Sequence, residues 1–505
     1  MVLPDPLPLV PAPLSAISDA GRTRLSDSTR VIGDASAAAA LIERVAARCG
    51  IRIPLVAGEP RPGDVVLRLD ATSGPAEAYR LRVGDVIEIT GADAAGLFYG
   101  IQTLLQLLRE DDEGWGWQRV RIEDAPRFAY RGMMLDVARH FFPVAEVKAV
   151  IDRAAALKLN HVHLHLSDDQ GWRLHIDSWP LLSQMSSVSS ANGDQGGCYS
   201  KDDYREIVAH AASRHVTIVP EIDLPGHTHA IGLAYPELVE DPVMNDHLLA
   251  DAARLGQALP VAGEPYTGWG VGHSSVRIRQ ERTWRFVRDA LTELAELTPG
   301  PYLHIGGDES LGTSKSDFAY FMERATALVV EIGKTPVAWH EAGAVDRIAE
   351  GTVGQYWGRT SPEGTHAAEA AHFVHRGGRL ILSPADASYL DMKYSDDFPL
   401  GLSWAGVTDV RDAYDWEPAA VLPVDDEAIL GVEAPLWTET VRSLHDADQL
   451  THPRIAAVAE LAWTSADNPE RRIDSLRHRI GRQALLWQSD GIRYHPIAEI
   501  PWSTR

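Results

Sequence analysis

After Pro126, short apolar runs alternate with amphipathic segments, and this rhythm defines the larger part of the chain. Eight runs read as strands: RGMMLDV (131–137), HVHLHLS (161–167), HVTIVPEI (215–222), YLHIGG (302–307), PVAWHE (336–341), TVGQYW (352–357), RLILSP (379–384) and ILGVEAPLW (429–437). Helical patterns fall between most of them, among them YREIVAHAASR (204–214) and TWRFVRDALTELAEL (283–297). Strand and helix in turn are the form of a parallel α/β fold, and eight such units predict a (β/α)8 TIM barrel over residues 126–505. An open doubly wound sheet is the alternative, but no GxGxxG or Walker A sequence accompanies it.

Upstream the pattern differs. Residues 1–30, Pro-rich and then polar, read as an extended lead-in. DASAAAALIERVAAR (34–48) predicts a helix with Gly50 as its stop, and DVVLRLD (64–70) a strand. YRLRV and VIEIT (79–90) predict two strands turned at Gly84-Asp85. A second helix follows Asp93 as N-cap, with Leu97, Ile101, Leu104, Leu105 and Leu108 on one face. DDEGWGW (111–117) reads as a connection between domains, so residues 1–125 form a small α+β unit with lead-in and linker. SQMSSVSSANG (183–193) reads as a long polar loop.

Composition narrows the function. The 505 residues carry a formal net charge of −24, which repels polyanions and argues against nucleic acid or an anionic membrane surface as partner. No apolar run approaches the roughly 18 residues of a membrane helix. The start MVLPDPLPLVPAPLSAI lacks the basic opening of a signal peptide, and Cys49 and Cys198 are isolated thiols. Together these features point to the cytoplasm. The 14 tryptophans are the outlying number, because indole faces stack on the C–H faces of sugars.

Barrel enzymes carry their chemistry at the C-terminal ends of strands. Those ends here bear Asp136 and Arg139, then Asp168-Asp169, then Glu221, Asp223 and His227. Asp308-Glu309, Trp339, Trp357, Tyr389 with Asp391, and Trp437 with Glu439 complete the circuit. Carboxylates and tryptophans at nearly every end point to a sugar. LHIGGDES (303–310) is the sharpest local feature: two glycines admit a ligand, and two adjacent carboxylates follow. In extended backbone those neighbours face opposite sides and need separate tasks, Glu309 protonating a leaving oxygen and Asp308 polarising another substrate group.

These residues also resemble a known family. PRFAYRGMMLDVARHFFP (126–143), LNHVHLHLSDDQGWR (159–173), VPEIDLPGH (219–227), HIGGDE (304–309) and YLDMKY (389–394) look like the glycoside hydrolase family 20 β-N-acetylhexosaminidases. GLFYGIQTLLQLL (96–108) resembles the end of that family's small N-terminal domain. The resemblance implies exo-acting, retaining hydrolysis of terminal GlcNAc or GalNAc, with no metal and no cofactor. It implies Glu309 as general acid/base and Asp308 as the partner of the substrate's acetamido N–H, whose carbonyl oxygen is the nucleophile. Tyr389 donates to the acetamido oxygen, Trp339, Trp357 and Trp437 wall the pocket, and Trp404 faces the leaving group. Arg139, Asp391 and Glu439 bind ring hydroxyls, while Asp168 and His227 form a pair that tunes Glu309. GlcNAc-versus-GalNAc preference, linkage and oligomeric state stay open. Cys198, His273 and the 310–317 loop depart from the family pattern, at positions expected to touch the leaving-group side.

Two other readings compete. His161, His163 and His165 alternate along one strand and His227 and His229 repeat the spacing, as in barrel metallohydrolases. Three histidines in one row lie at successive depths, however, and only the last reaches the barrel mouth. A sugar-binding barrel without catalysis is the other, and it would require loss of Asp308 or Glu309. Trp284 and Trp463 read as core, and Trp115 and Trp117 as contacts between domains.

Overall fold

The computed structural model describes residues 6–503. By contact the chain falls into two compact units. One holds the chain to Ala129, Ala155–Lys158 and the chain from Ile455; the other holds Tyr130–Ala154 and Leu159–Arg454.

The first unit is built on a seven-stranded sheet. Its order runs Ser15–Arg24, Gly114–Asp124, Tyr79–Val83, Ile87–Gly91, Val65–Leu69, Val31–Gly33, with Leu108–Asp111 also paired to Gly114–Asp124. Two helices, Ala35–Cys49 and Ala94–Leu107, are started as the sequence requires. Asp34 accepts from the Ala37 N–H and Asp93 from the Gly96 N–H, each at 2.8 Å. Gly50 ends the first helix at φ 71°, the left-handed turn that a side chain would strain.

Three expectations are revised here. The lead-in carries a ten-residue strand, Ser15–Arg24, and its first five residues lie outside those described. Seven successive exposed residues open that strand, so it has no apolar alternation by which to be read. The 111–117 segment is no linker: it is the hairpin between Leu108–Asp111 and Gly114–Asp124, turned at Gly114 with φ 100°. Trp117 is fully buried in this unit, and Trp115 lies under Arg48 of the same unit. Trp463 and Trp284 are buried, as expected of core residues.

The second unit is a closed parallel barrel. Its strands are β1 (Tyr130–Asp136), β2 (His161–His165), β3 (Thr217–Glu221), β4 (Tyr302–His304), β5 (Thr335–Trp339), β6 (Val353–Tyr356), β7 (Leu380–Leu382) and β8 (Ile429–Leu436). All eight predicted runs supply one strand each, and β8 closes on β1 from Gly431↔Tyr130 to Leu436↔Leu135. Both sheet faces are covered, which is why β1 and β8 are buried along their whole length. The polar 183–193 loop folds inward. Ser186, Ser187 and Ser190 are buried, and the buried Arg173 guanidinium donates to the carbonyls of Ser187 and Ser189. Among the described residues no helix is long and apolar enough to cross a membrane.

A buried ion pair ties down the lead-in within the first unit. Arg479 donates to Glu460 at 2.6 Å and to the Leu9 carbonyl at 2.8 Å, while Glu460 accepts from the Ala12 N–H at 2.9 Å. Arg479→Leu strands the Glu460 charge and is expected to cost about 3–5 kcal/mol. Urea unfolding measures this, and a loss below about 1 kcal/mol would contradict the assignment.

Candidate active site

The site begins where β4 stops. After His304 the backbone leaves the extended region, with Gly306 at φ 69°, Gly307 at φ 105° and Glu309 at φ 42°. Gly306 is required on a second ground: a Cβ there would meet Asp223 Oδ1 at 1.7 Å. Asp223 in turn accepts from the Gly307 N–H at 3.1 Å, so the turn is built against a carboxylate from the end of β3. This corrects the extended-backbone expectation for Asp308 and Glu309. The left-handed turn brings both to one cleft, where one oxygen of each and one ring nitrogen of His227 lie within 4.8 Å of one another.

That cleft has a volume of about 650 Å³. Arg139, Asp308, Glu309, Trp357, Tyr389, Asp391, Trp404, Trp437 and Glu439 all line it. Strand ends and the loops after them deliver these residues, so neighbours in space are distant in sequence. Aromatic rings form a continuous wall: Tyr389 lies 6.4 Å from Trp437 and 5.8 Å from Trp404, and Trp404 lies 6.0 Å from Trp357. Trp357 is fixed by its Nε1–H, which donates to Glu341 at 2.9 Å. Trp339 is fully buried and does not border the cleft; its ring lies 6.0 Å from that of Trp437, and its Nε1–H donates to Glu221 at 3.0 Å.

Beneath the cleft runs a line of alternating charges. Glu433 accepts from His163 Nδ1 at 2.9 Å, and His163 Nε2 donates to Glu221 at 3.0 Å. Glu221 also accepts from His165 Nδ1 at 2.5 Å, and His165 Nε2 reaches Asp168 at 2.8 Å. Asp168 receives Arg139 at 2.7 Å and His227 Nδ1 at 3.1 Å. His227 Nε2 faces Asp308 at 3.8 Å.

Electrostatics follow from that order. Burial opposes the charge of His163, but Glu433 and Glu221 outweigh it and raise its pKa to about 9. His165 and His227 are raised for the same reason, and burial of Asp168 is overcome by Arg139 and His227, which hold it well below the ordinary range. Glu309 moves the other way. Burial, reinforced by Asp308 and opposed by His227, pushes its carboxyl up to about 7. Asp391 and Glu439 are also raised, burial coming first in each, with Glu439 acting next on Asp391 and Arg139 partly offsetting Glu439.

The sequence-derived set thus comes together, with Asp168, His227 and Trp339 behind the cleft rather than at its surface. Glu341 and Glu433 were missed. Glu433 lies inside an apolar run, where its inward orientation carries no sequence signal; Glu341 does follow a strand end and could have been found. At the histidines of the metallohydrolase reading, both ring nitrogens of His163 and of His165 face carboxylates. His161 instead stacks on Tyr130 at 4.0 Å. Cys198, His273 and the 310–317 loop do not line the cleft. His273 is buried against Tyr266, 4.6 Å between rings, and the Cys198 thiol is raised to about 12 by burial.

Comparison with known proteins agrees with this geometry. Residues 128–318 and 310–466 match Glycosyl hydrolase family 20, catalytic domain, and residues 7–125 match Glycosyl hydrolase family 20, domain 2. The chain is 40% identical over 449 residues to a β-N-acetylhexosaminidase of Cellulomonas fimi, covering 87% of this chain and 85% of that protein. It is similar to a solved glycoside hydrolase family 20 β-N-acetylglucosaminidase with a TM-score of 0.91 and 53% identity, over 99% of this chain and 100% of that one. A mutant Streptomyces plicatus β-hexosaminidase in complex with its product GlcNAc gives a TM-score of 0.91 at 43% identity, over 100% and 99% of the two chains. Two domain matches in the family's order, on a barrel whose carboxylates and tryptophans meet in one cleft, place this chain in glycosyl hydrolase family 20.

Proposed function

We propose that the cleft of this family 20 hydrolase removes terminal non-reducing GlcNAc or GalNAc from β-linked oligosaccharides and glycoconjugates, with net retention at the anomeric carbon. The observation that carries the reading is Glu309, a carboxyl raised to about 7, grouped within 4.8 Å with Asp308 and His227 in a cleft walled by Trp and Tyr.

Asp391, Glu439 and Arg139 take the sugar's hydroxyls, buried groups that hydrogen bonds to a pyranose would satisfy. Trp357, Tyr389 and Trp437 enclose the acetamido group and the ring, with Trp339 supporting Trp437 from behind. Asp308 accepts the acetamido N–H, which aims the acetamido oxygen at the anomeric carbon, and the Tyr389 hydroxyl donates to that oxygen. Glu309 gives its proton to the glycosidic oxygen as the bond breaks and the acetamido oxygen closes an oxazolinium ring. The ionised Glu309 then takes a proton from water, which opens the ring. Two inversions at one carbon leave the configuration unchanged. Asp308 and Glu309 come from one turn and so do not flank the glycosidic bond, which favours a nucleophile supplied by the substrate. Asp168 holds His227 in its charged form, and the His227 ring thereby places positive charge beside Asp308.

Four outcomes are expected. The acid form of Glu309 exists below about pH 7, so kcat/KM on sugars with poor leaving groups should fall about tenfold per unit above that value. Glu309→Gln should abolish that limb and cut turnover of such substrates by about 10²–10⁴-fold, with a much smaller loss for activated aryl leaving groups. Equal losses on both substrates would sink the acid/base role. Asp308→Asn should lower kcat rather than raise KM, because its contact strengthens as charge develops; a pure KM effect would contradict it. A thiazoline mimic of the cyclic intermediate should inhibit competitively and far more tightly than GlcNAc, and absence of inhibition would refute substrate assistance.

A further inference from the structure

A further cavity, of about 600 Å³, lies wholly within the first unit, and none of its lining residues borders the catalytic cleft. One wall is a bulge in an edge strand. Between Ser18 and Arg22 the strand Ser15–Arg24 shifts register against Gly114–Asp124, so that Asp19, Ala20 and Gly21 stand opposite Arg119 alone. Gly21 takes φ 92° there. Pairing resumes with Arg22 opposite Gln118, and both reach the cavity. Arg109 enters from Leu108–Asp111, and Arg482 from the helix Ile473–Ser489.

Three arginines thus meet at one cavity, and backbone carbonyls hold them in place. Arg22 donates to the carbonyls of Arg109 and Gly116, each at 2.6 Å. Arg109 donates to those of Leu108 at 2.9 Å and Arg482 at 3.2 Å, and Arg482 to that of Pro6 at 3.2 Å. Among the described residues, only Arg22 of the three has a carboxylate partner, Asp111 at 2.5 Å. A carbonyl orients a guanidinium without cancelling its charge, so Arg109 and Arg482 bring two uncompensated positive charges to the cavity. Burial opposes the charge of Arg109, and Arg48, Arg482 and Arg22 add to that, holding its pKa below the ordinary guanidinium range. Arg22 Nε is a buried donor with no hydrogen-bond partner among the described residues. Two carboxylates share the wall, but Asp19 pairs with Arg121 at 3.4 Å and Glu110 is exposed to solvent.

We propose that this cavity is a binding site for a phosphate group, free or as the monoester of a small molecule, held by Arg109, Arg482 and Arg22. A phosphate carries a charge of about −1.5 to −2 at pH 7 and several strong acceptor oxygens, which matches two uncompensated guanidiniums. The planar fork of each guanidinium takes two such oxygens at once, and the Gln118 amide offers a further donor. A single carboxylate would leave one of the two charges unanswered. The volume exceeds that of the bare ion and leaves room for the body of an ester. In a chain of net charge −24, a cavity that gathers arginines without their counter-charges is a local reversal of sign, and it selects an anion against the field of the rest of the chain. Binding here is independent of the reaction at the cleft.

Isothermal titration calorimetry of the whole protein tests this, at constant ionic strength in chloride, with inorganic phosphate, glucose 6-phosphate and, as the uncharged control, glucose. At least one of the two phosphates should bind, and glucose should not. Tighter binding of glucose 6-phosphate assigns the cavity to an ester, and tighter binding of inorganic phosphate assigns it to the free ion. Arg109→Gln and Arg482→Gln keep a donor for the carbonyl each residue grips but remove the charge, and each should weaken binding about tenfold. Arg80→Gln removes an exposed arginine elsewhere on the same sheet and should leave binding unchanged. Glycosidase activity at the cleft, which none of these residues borders, reports that each variant is folded. Absence of binding by both phosphates, binding of glucose as strong as that of its phosphate, or affinity unchanged in both Arg109→Gln and Arg482→Gln would overturn the proposal.

Discussion

Glu221 is the constraint on which the barrel site depends. It is a fully buried carboxylate at the end of β3, and isolated it would be untenable there. His163, His165 and Trp339 donate to it, and His304 Nδ1 lies 3.0 Å away. These donors hold it ionised despite burial, with its pKa well below the ordinary range, and each is fixed in return. Through His165 the constraint passes to Asp168, then to Arg139 and His227, and so to the cleft. Through Trp339 it passes to Trp437 in the aromatic wall. One carboxylate in the barrel interior thereby sets both the electrostatics under Asp308 and the packing behind the sugar wall.

Opposed pKa shifts are the chemical result. His227 and Asp168 are held in their charged forms by contact with opposite charge, while Glu309, a short distance away, is held protonated to about pH 7 by burial and by Asp308. An acid and an acceptor can then coexist on adjacent residues. The left-handed backbone at Gly306, Gly307 and Glu309 makes that adjacency possible, since an extended chain would send the two carboxylates apart. Local strain at the turn is matched by the Gly307 N–H to Asp223 bond and by the β3–β4 pairing beside it.

Much of this was legible along the chain. Helix starts at Asp34 and Asp93 were readable because an N-cap is a local interaction between a side chain and the N–H three residues on. The eight barrel strands were readable because strands buried on both faces are continuous apolar runs. The strand Ser15–Arg24 was not, since its polar residues are held by pairing to Gly114–Asp124, about a hundred positions away. The segment 183–193 was read only as a long polar loop for a similar reason: Ser186, Ser187 and Ser190 are buried, and the Arg173 guanidinium binds carbonyls that carry no sequence mark.

By itself, then, the sequence determined which residues would end the strands and so which chemistry the barrel mouth could hold: Asp308, Glu309 and a set of tryptophans. Those are properties of composition and short-range order, and they survive without knowledge of the third dimension. Only the tertiary structure decided that Asp308 and Glu309 share one side, that Trp339 stands behind the wall rather than in it, and that Glu221 and Glu433 anchor the histidines. Each of these depends on backbone torsions and on partners brought together from distant segments. Burial and neighbouring charge of either sign, which set the pKa shifts above, come into being only when those segments meet.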